Sequence, residues 1–317
     1  MSGKRKKKAS GYRQPPPKST KAQADEAAPE RPAVPGFLGF LSRGTGDSGF
    51  PSIPRSIGRG FLTVGSSATL LLSGFVLLLV LWLGLVLLGL EGPLGQLANL
   101  LALPPISTYF DATNAVAIYG FGPEGIVASV AFLGVRAVTL GLLGGLVVQV
   151  LLDEGTAVDG LRRGVRAIPI LLATNLATFS MMVAGSVLLP LLGPGLGFLG
   201  SVLTLVAALF LFAFAPAAGA WETGRPFYET IRRASRAAIL PGSRHLLMCM
   251  LYIFLALPIL VALAPGGSLR SVNPSVALWI YALVCSYVHL SFLAAFSYRY
   301  LAVADHIPDE PIKLRRR

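Results

Sequence analysis

The sequence has few charged residues, and their scarcity decides the class of protein. Only 13% of the 317 residues are Asp, Glu, Lys or Arg, and the mean hydropathy is +0.67. A soluble domain of this length carries more charge on its surface. The sequence instead contains apolar runs of 20 residues or more, which are long enough to cross a bilayer. The composition therefore excludes a soluble globular enzyme and predicts an all-α polytopic membrane protein.

The residue types that build metal centres are also scarce. The chain has two cysteines and three histidines. Cys249 and Cys285 lie inside apolar runs, where cysteine is typical of a small buried side chain rather than a disulfide. Cys285 and His289 share a helix face four residues apart, which favours a packed polar pair over a ligand pair. We therefore expect no metal, no cofactor, no catalytic residue and no enzymatic activity.

Two short motifs resemble known signatures, but their surroundings argue against both. Gly46-Asp-Ser-Gly49 resembles a serine-protease nucleophile, yet it sits in a glycine-rich linker without a β-rich domain. Gly195-Leu-Gly-Phe-Leu-Gly200 has the spacing of a dinucleotide fingerprint, yet no strand precedes it. We expect the second motif to serve helix packing.

The chain divides into three parts by composition. Residues 1–60 contain the basic block Lys4-Arg-Lys-Lys-Lys8 and a proline-rich stretch, and predict a disordered basic tail. Residues 61–304 form the predicted six-span membrane domain, and residues 305–317 a short basic tail. The predicted spans are 63–90, 126–152, 168–192, 196–220, 245–264 and 275–302.

The basic residues predict which side each loop faces. Of the 27 Lys and Arg residues, 25 fall in the N-terminal tail, the 153–167 and 221–244 loops, and the chain from Arg299 onward. Arg270 is the only basic residue in the opposite loops. The positive-inside rule therefore places both termini in the cytoplasm. Lys313 is the only lysine after residue 60, which is typical of a GC-rich bacterial genome, so we expect a bacterial inner membrane.

Two loops share one pattern. Asp159–Ala167 aligns without a gap with Glu229–Ala237, and each segment has an acid three and four residues before a pair of arginines. In a helix starting at Pro226, apolar residues fall on one face and the arginines on the other. We therefore predict two interfacial elbow helices on the cytoplasmic side, and a parallel repeat of the hairpins around them. The predicted anion- and lipid-binding residues are Arg162, Arg163, Arg166, Arg232, Arg233 and Arg236.

These segments resemble the membrane domain of bacterial glycerophosphodiester phosphodiesterases and related stand-alone polytopic membrane proteins. The residues in common are Asp153-Glu-Gly155 with Leu161-Arg-Arg163, and Glu222-Thr-Gly224 with Ile231-Arg-Arg233. The resemblance covers the layout of residues 60–305. It implies a membrane domain without assigned chemistry, and the catalytic phosphodiesterase domain has no counterpart in this chain.

Arg136 is the charged residue predicted deepest within a span. It lies roughly 15 Å deep, where an arginine costs about 2.5–3.5 kcal/mol on the insertion scale. Gly134, Gly141 and Gly145 form a predicted close-packing seam on the opposite side of the helix. We expect Arg136 to bind an anion or lipid phosphate, or to be satisfied by polar groups; the candidates are Thr174, Asn175, Thr178 and His289.

The sequence favours a non-enzymatic membrane scaffold or partner subunit acting through lipid and protein contacts. The expected partners are the bilayer, anionic headgroups, and a membrane-protein partner or a second copy of the chain. No specific nucleic acid is expected, since topology explains the basic residues. The alternative is a permease for a small solute or lipid, with Arg136 in its pathway and kinks at Pro216 and Pro258.

Overall fold

The fold is all-α over the residues that the computed structural model describes, and no strand occurs among them. The predicted fold class is confirmed to that extent. Residues 1–48 of the predicted N-terminal tail and 308–317 of the C-terminal tail lie outside the described residues. The described ranges are 49–87, 101–104, 106, 122–185, 191, 193–222, 224–240, 242–263 and 276–307.

Nine helices of seven residues or more occur in these ranges. In chain order they are α1 (Ile53–Ser66), α2 (Ala68–Leu87), α3 (Pro123–Leu152), α4 (Ala157–Val183), α5 (Pro194–Phe212), α6 (Ala215–Trp221), α7 (Phe227–Ile239), α8 (His245–Leu263) and α9 (Val276–Val303). A short 3₁₀ turn, Ala304–His306, follows α9.

Several of these helices suit a multi-pass membrane protein. Four segments are long and apolar enough to cross a bilayer: Val130–Leu152, Ala157–Val183, Val202–Trp221 and Trp279–His306. The count rises to five if the bent pair α1–α2 forms one span. In α8, His245–Ala256 is a shorter apolar segment.

The first predicted span, 63–90, is divided at Ser67. The axes of α1 and of the first part of α2 meet there at 80°. α1 begins at Ile53, inside the range predicted as tail. It is an amphipathic helix, with Ile53, Gly60 and Val64 buried on the face that packs against α9. The long apolar runs, which guided the assignment of spans, do not reveal a helix of this kind.

The first predicted elbow is not a separate helix. α4 runs without a break from Ala157 to Val183, so the segment expected in the interface is the first part of a long helix. Thr156 begins it with a capping box, in which the Asp159 carboxylate accepts from the Thr156 backbone N–H at 2.9 Å. Pro169 lies inside α4, and the helix continues through it.

Close packing against α3 explains why the first predicted elbow is continuous with the span that comes after it in α4. A Cβ atom on Gly145 would collide with the backbone of Gly160 and Gly164, and one on Gly141 would crowd Gly164 and Ile168. The two helices therefore approach backbone to backbone. The predicted glycine seam is confirmed at Gly141 and Gly145 but is wrong at Gly134, where nothing among the described residues lies within 4 Å of a Cβ atom.

The fourth predicted span is interrupted before Pro216. α5 ends at Phe212, two residues form a turn, and α6 begins at Ala215. Proline has no N–H for the carbonyl four residues earlier, which accounts for the break. α6 is buried from Ala215 to Ala220 and contacts α3, α4, α7 and α9, so it lies at the centre of the bundle.

Candidate functional site

Arg136 lies in the interior, as its position in the sequence suggested. Its side chain is 2% exposed and has a partner within the protein. Its guanidinium also acts electrostatically on the hydroxyl of Tyr252 in α8. Of the predicted partners, Asn175 donates from Nδ2 to the Leu133 carbonyl of α3 at 3.4 Å. Arg136 and Tyr252 therefore define a polar cluster inside the bundle.

Tyr252 joins this cluster to two further parts of the chain. Its hydroxyl accepts a hydrogen bond from the Leu103 backbone N–H at 2.8 Å. It also lies 3.0 Å from Nδ1 of His289 in α9. Tyr252 gave no signal in the sequence, because a tyrosine in an apolar run is typical of ordinary packing. The cluster therefore links α8, α9 and the 101–104 segment through polar contacts.

The threonines predicted to face Arg136 bond to their own helix. Thr174 Oγ1 donates to the Leu171 carbonyl at 3.1 Å, and Thr178 Oγ1 donates to the Thr174 carbonyl at 2.7 Å. Both side chains are buried. Threonine satisfies its hydroxyl in this way within apolar surroundings. These hydroxyl protons are thus already donated to carbonyls of α4.

The arginines of the first Arg-Arg segment lie at the surface. Arg162 and Arg166 are exposed, and Arg163 is half-buried. Asp159 attracts Arg162 and Arg163 electrostatically while its carboxylate is held by Thr156. Three guanidiniums on the outside of α4 can meet anions approaching from solvent or from a lipid surface.

The arginines of the second segment differ from the prediction. Arg233 and Arg236 are 6% and 8% exposed, although both were expected among headgroups. Arg233 donates from Nε to Glu222 at 2.9 Å, and its two other nitrogens bond the carbonyls of Ile307 and Ala304. Arg236 likewise has a partner within the protein, and Arg232 is half-buried. Arg233 therefore holds residues 304–307, just after α9, and is unavailable to lipid.

Glu222 is the centre of this arrangement. Oε1 accepts from Arg233 and from the Tyr300 hydroxyl, the latter at 2.8 Å, and Oε2 pairs with Arg225 Nε at 2.8 Å. Its side chain is almost fully buried. A buried carboxylate with two arginines and a hydroxyl is a fully bonded ion cluster, and losing one member is costly. The sequence showed Glu222 only as part of a loop motif.

Arg299 forms a second buried contact that the sequence analysis missed. It is 1% exposed, donates to the Pro51 carbonyl at 2.6 Å and to the Ser243 carbonyl, and lies 5.1 Å from the Phe50 ring centroid. It had been assigned to the basic C-terminal end. Its position about one turn from the end of a long apolar helix was the available signal.

No group of three or more His, Cys, Asp or Glu residues is placed to hold a metal ion in the described part of the chain. His245 and Cys249 contact each other at 3.6 Å, and His245 Nε2 lies 3.1 Å from the Phe210 carbonyl. The glycine motif from residue 195 falls at the start of α5, after a proline rather than a strand. The motif at 46–49 lies outside the described residues except for Gly49.

Comparisons with protein-family models, with curated proteins and with solved structures find no match to this chain. Function is therefore inferred from the placement of its own residues. Three groups stand out: the polar cluster around Arg136, the ion cluster around Glu222, and the surface arginines.

Proposed function

We propose that the protein is a non-enzymatic scaffold or partner subunit of a bacterial inner membrane, acting through lipid and protein contacts. Six membrane crossings are proposed: α2, α3, α4, α5 with α6, α8 and α9. Both termini and the two Arg-Arg segments face the cytoplasm in this arrangement, in keeping with the distribution of basic residues.

One observation carries the scaffold proposal: the buried charges are used to hold the protein together. Arg233 and Arg299 are directed at carbonyls of distant segments, and Glu222 is occupied by its partners. Large apolar side chains, by contrast, are exposed along most of the long helices, among them Leu72, Phe254 and Val276. An exposed apolar surface of this extent is covered by lipid or by a partner helix. The outer surface is therefore where we place the function.

Purification tests this proposal. The full-length protein is extracted in mild detergent, and the proteins and lipids that remain bound are identified by mass spectrometry. The scaffold proposal predicts retained anionic phospholipid or a membrane-protein partner in fixed ratio. Co-purification of an ATPase contradicts it and favours transport.

The topology is tested independently by reporter fusions. Fusions at residues 160, 232 and 312 are expected to report the cytoplasm, and fusions at 110, 193 and 270 the opposite side. A cytoplasmic signal at residue 110 contradicts the proposed arrangement, whatever the protein binds.

The polar cluster around Arg136 favours a second candidate, a permease for a small solute or lipid. A buried arginine among polar groups of several helices is a frequent feature of a transport path. The variant Arg136→Leu separates the candidates. A permease keeps its melting temperature in detergent and loses uptake in proteoliposomes. A structural arginine loses stability, because the groups it bonds are left without their donor.

A further inference from the structure

An open cavity of about 560 Å³ lies beside α1. It is lined by Arg55, Gly58, Arg59 and Leu62 of α1 and by Tyr298 of α9. None of these residues belongs to the Arg-Arg segments, and no part of the proposed function uses them. The cavity is therefore a separate candidate site.

The two arginines in this cavity are unpaired among the described residues. Neither makes a hydrogen bond or an ion pair there, and both are exposed. They are four residues apart on one helix, so they lie on the same side of α1, and like charges at that spacing repel each other. An anion between them relieves the repulsion and accepts hydrogen bonds from both guanidiniums, as a phosphate group does.

The helix that presents these arginines is firmly held. The backbone at Gly60 approaches α9 so closely that a Cβ atom would collide with Ser291 and Ala295. Tyr287 donates to the Phe61 carbonyl at 3.0 Å, and Arg299 holds the Pro51 carbonyl just before the helix. A site on an anchored helix is preorganised, which reduces the entropy lost on binding.

The surroundings favour a lipid as the source of the phosphate. Leu62 lines the same cavity and is 66% exposed, so an apolar chain can lie beside the charged groups. The 80° bend after α1 turns it close to the membrane plane if α2 crosses the bilayer. Leu71, Leu72 and Phe75, just beyond the bend, are also exposed. A free phosphate ion makes no favourable contact with these apolar side chains, whereas the acyl chain of a lipid does.

We propose that this cavity binds the headgroup of an anionic phospholipid. Arg55 and Arg59 bond its phosphate, Tyr298 offers a phenolic hydroxyl at the cavity wall, and Leu62 lies along an acyl chain. The inference rests on the proposed membrane location, but it does not depend on the Arg-Arg segments.

Native mass spectrometry with phosphatidylglycerol tests the site. The full-length protein in detergent is titrated with the lipid, and its tightest binding step is compared between wild type and three variants. Arg55→Gln with Arg59→Gln removes the charges. Gly58→Leu keeps both charges and fills the cavity; nothing lies within 4 Å of a Cβ atom at that position, so the helix accommodates the change. Lys4→Gln with Lys8→Gln is the charge control, because it removes two positive charges at the same four-residue spacing from residues that do not line the cavity.

We expect the first two variants to weaken the tightest step on the order of ten-fold, and the control to change it less than about two-fold. Equal losses of affinity in the arginine variant and the lysine control, or an unaffected Gly58→Leu variant, overturn the proposal. Competition by inorganic phosphate at the concentration of the lipid also overturns it, because the site is then one for a free anion. Failure of the protein to reside in the membrane is seen earlier, at extraction, and counts against the proposed function instead.

Discussion

The two Arg-Arg segments align residue for residue, yet they occupy different environments. The first, Asp159–Ala167, begins a long helix whose arginines face outward. The second, Glu229–Ala237, lies in a separate short helix in which Arg233 and Arg236 are buried. Their partners differ as well: a glycine-lined face of α3 packs against the first, while Glu222 and the carbonyls after α9 hold the second.

The difference arises from small changes at aligned positions. Gly160 and Gly164 of the first segment correspond to Thr230 and Ala234 of the second. The two glycines allow the segment to pack against the backbone of α3, which draws it into line with the span. Glu222, seven residues before Glu229, instead provides a buried acid for Arg233. A shared motif therefore fixes neither the direction of a helix nor the role of its arginines.

The largest expected effect comes from removing the buried acid of the second segment. Glu222→Ala removes the carboxylate that Arg233, Arg225 and the Tyr300 hydroxyl share, and two of these three partners are buried. We expect a loss of about 3–5 kcal/mol in the free energy of unfolding. Unfolding by SDS titration in mild detergent measures it. Glu229→Ala, at a mostly exposed acid of the same region, is the control and is expected to stay within about 0.5 kcal/mol.

Replacing one arginine in each segment by lysine sharpens the contrast. Arg233 uses all three guanidinium nitrogens in three directions, which an ammonium does not reproduce. We expect Arg233→Lys to lower the free energy of unfolding by about 2 kcal/mol. Arg163→Lys, at the aligned half-buried position, is expected to lower it far less. Similar melting temperatures for the two purified variants would contradict the internal role of Arg233.

Replacing a glycine of the first Arg-Arg segment by the residue at the aligned position of the second tests the close packing between α3 and α4. Gly164→Ala introduces the alanine found at the aligned position, and its Cβ atom meets the Gly141 carbonyl oxygen and Leu142 Cα. The backbones must separate, which we expect to cost about 1–3 kcal/mol. Gly134→Ala, where nothing lies within 4 Å of the Cβ position, is the control and gains up to about 1 kcal/mol of helix propensity. Thermal unfolding followed by tryptophan fluorescence compares them.

The smallest expected effect concerns how each helix begins. Thr156 caps α4 with its side chain, whereas Pro226 precedes α7 without a side-chain cap. Thr156→Ala is expected to cost about 1 kcal/mol, while Thr156→Ser, which keeps the hydroxyl, is nearly neutral. Hydrogen exchange of the first turn of α4 provides the readout. Unchanged protection in Thr156→Ala would show that packing on α3 alone holds this end.

The long apolar runs and the glycine spacing in the sequence predicted much of the fold. α3, α8 and α9 coincide with apolar runs of the sequence that are bounded by charged residues or proline. Gly141 and Gly145 lie at the close contact between α3 and α4. The bend at Ser67 and the continuity of α4 were not predicted. Both depend on the partner against which a helix packs, and one chain's periodicity does not identify that partner.

The sites were predictable only in part. Arg136 stood out because a charge within an apolar run is costly wherever it lies. The burial of Arg233, the cluster at Glu222 and the contacts of Arg299 join residues far apart in the chain. The local spacing of residues contains no information on such contacts. The sequence around an arginine near the end of a span does not show whether its guanidinium faces lipid headgroups or backbone carbonyls.

Arg299 also bears on the order in which the molecule is assembled. It belongs to α9, yet it bonds the Pro51 carbonyl ahead of α1 and the Ser243 carbonyl before α8. A chain emerging from the ribosome presents α1 long before the residue that holds it exists. The anchoring of α1 is therefore completed only after residue 299 has been made, and a product that stops earlier lacks this contact even where Tyr287 and Ala295 already pack against α1. The attachment of α1 thus provides a physical sign that α9 has been made.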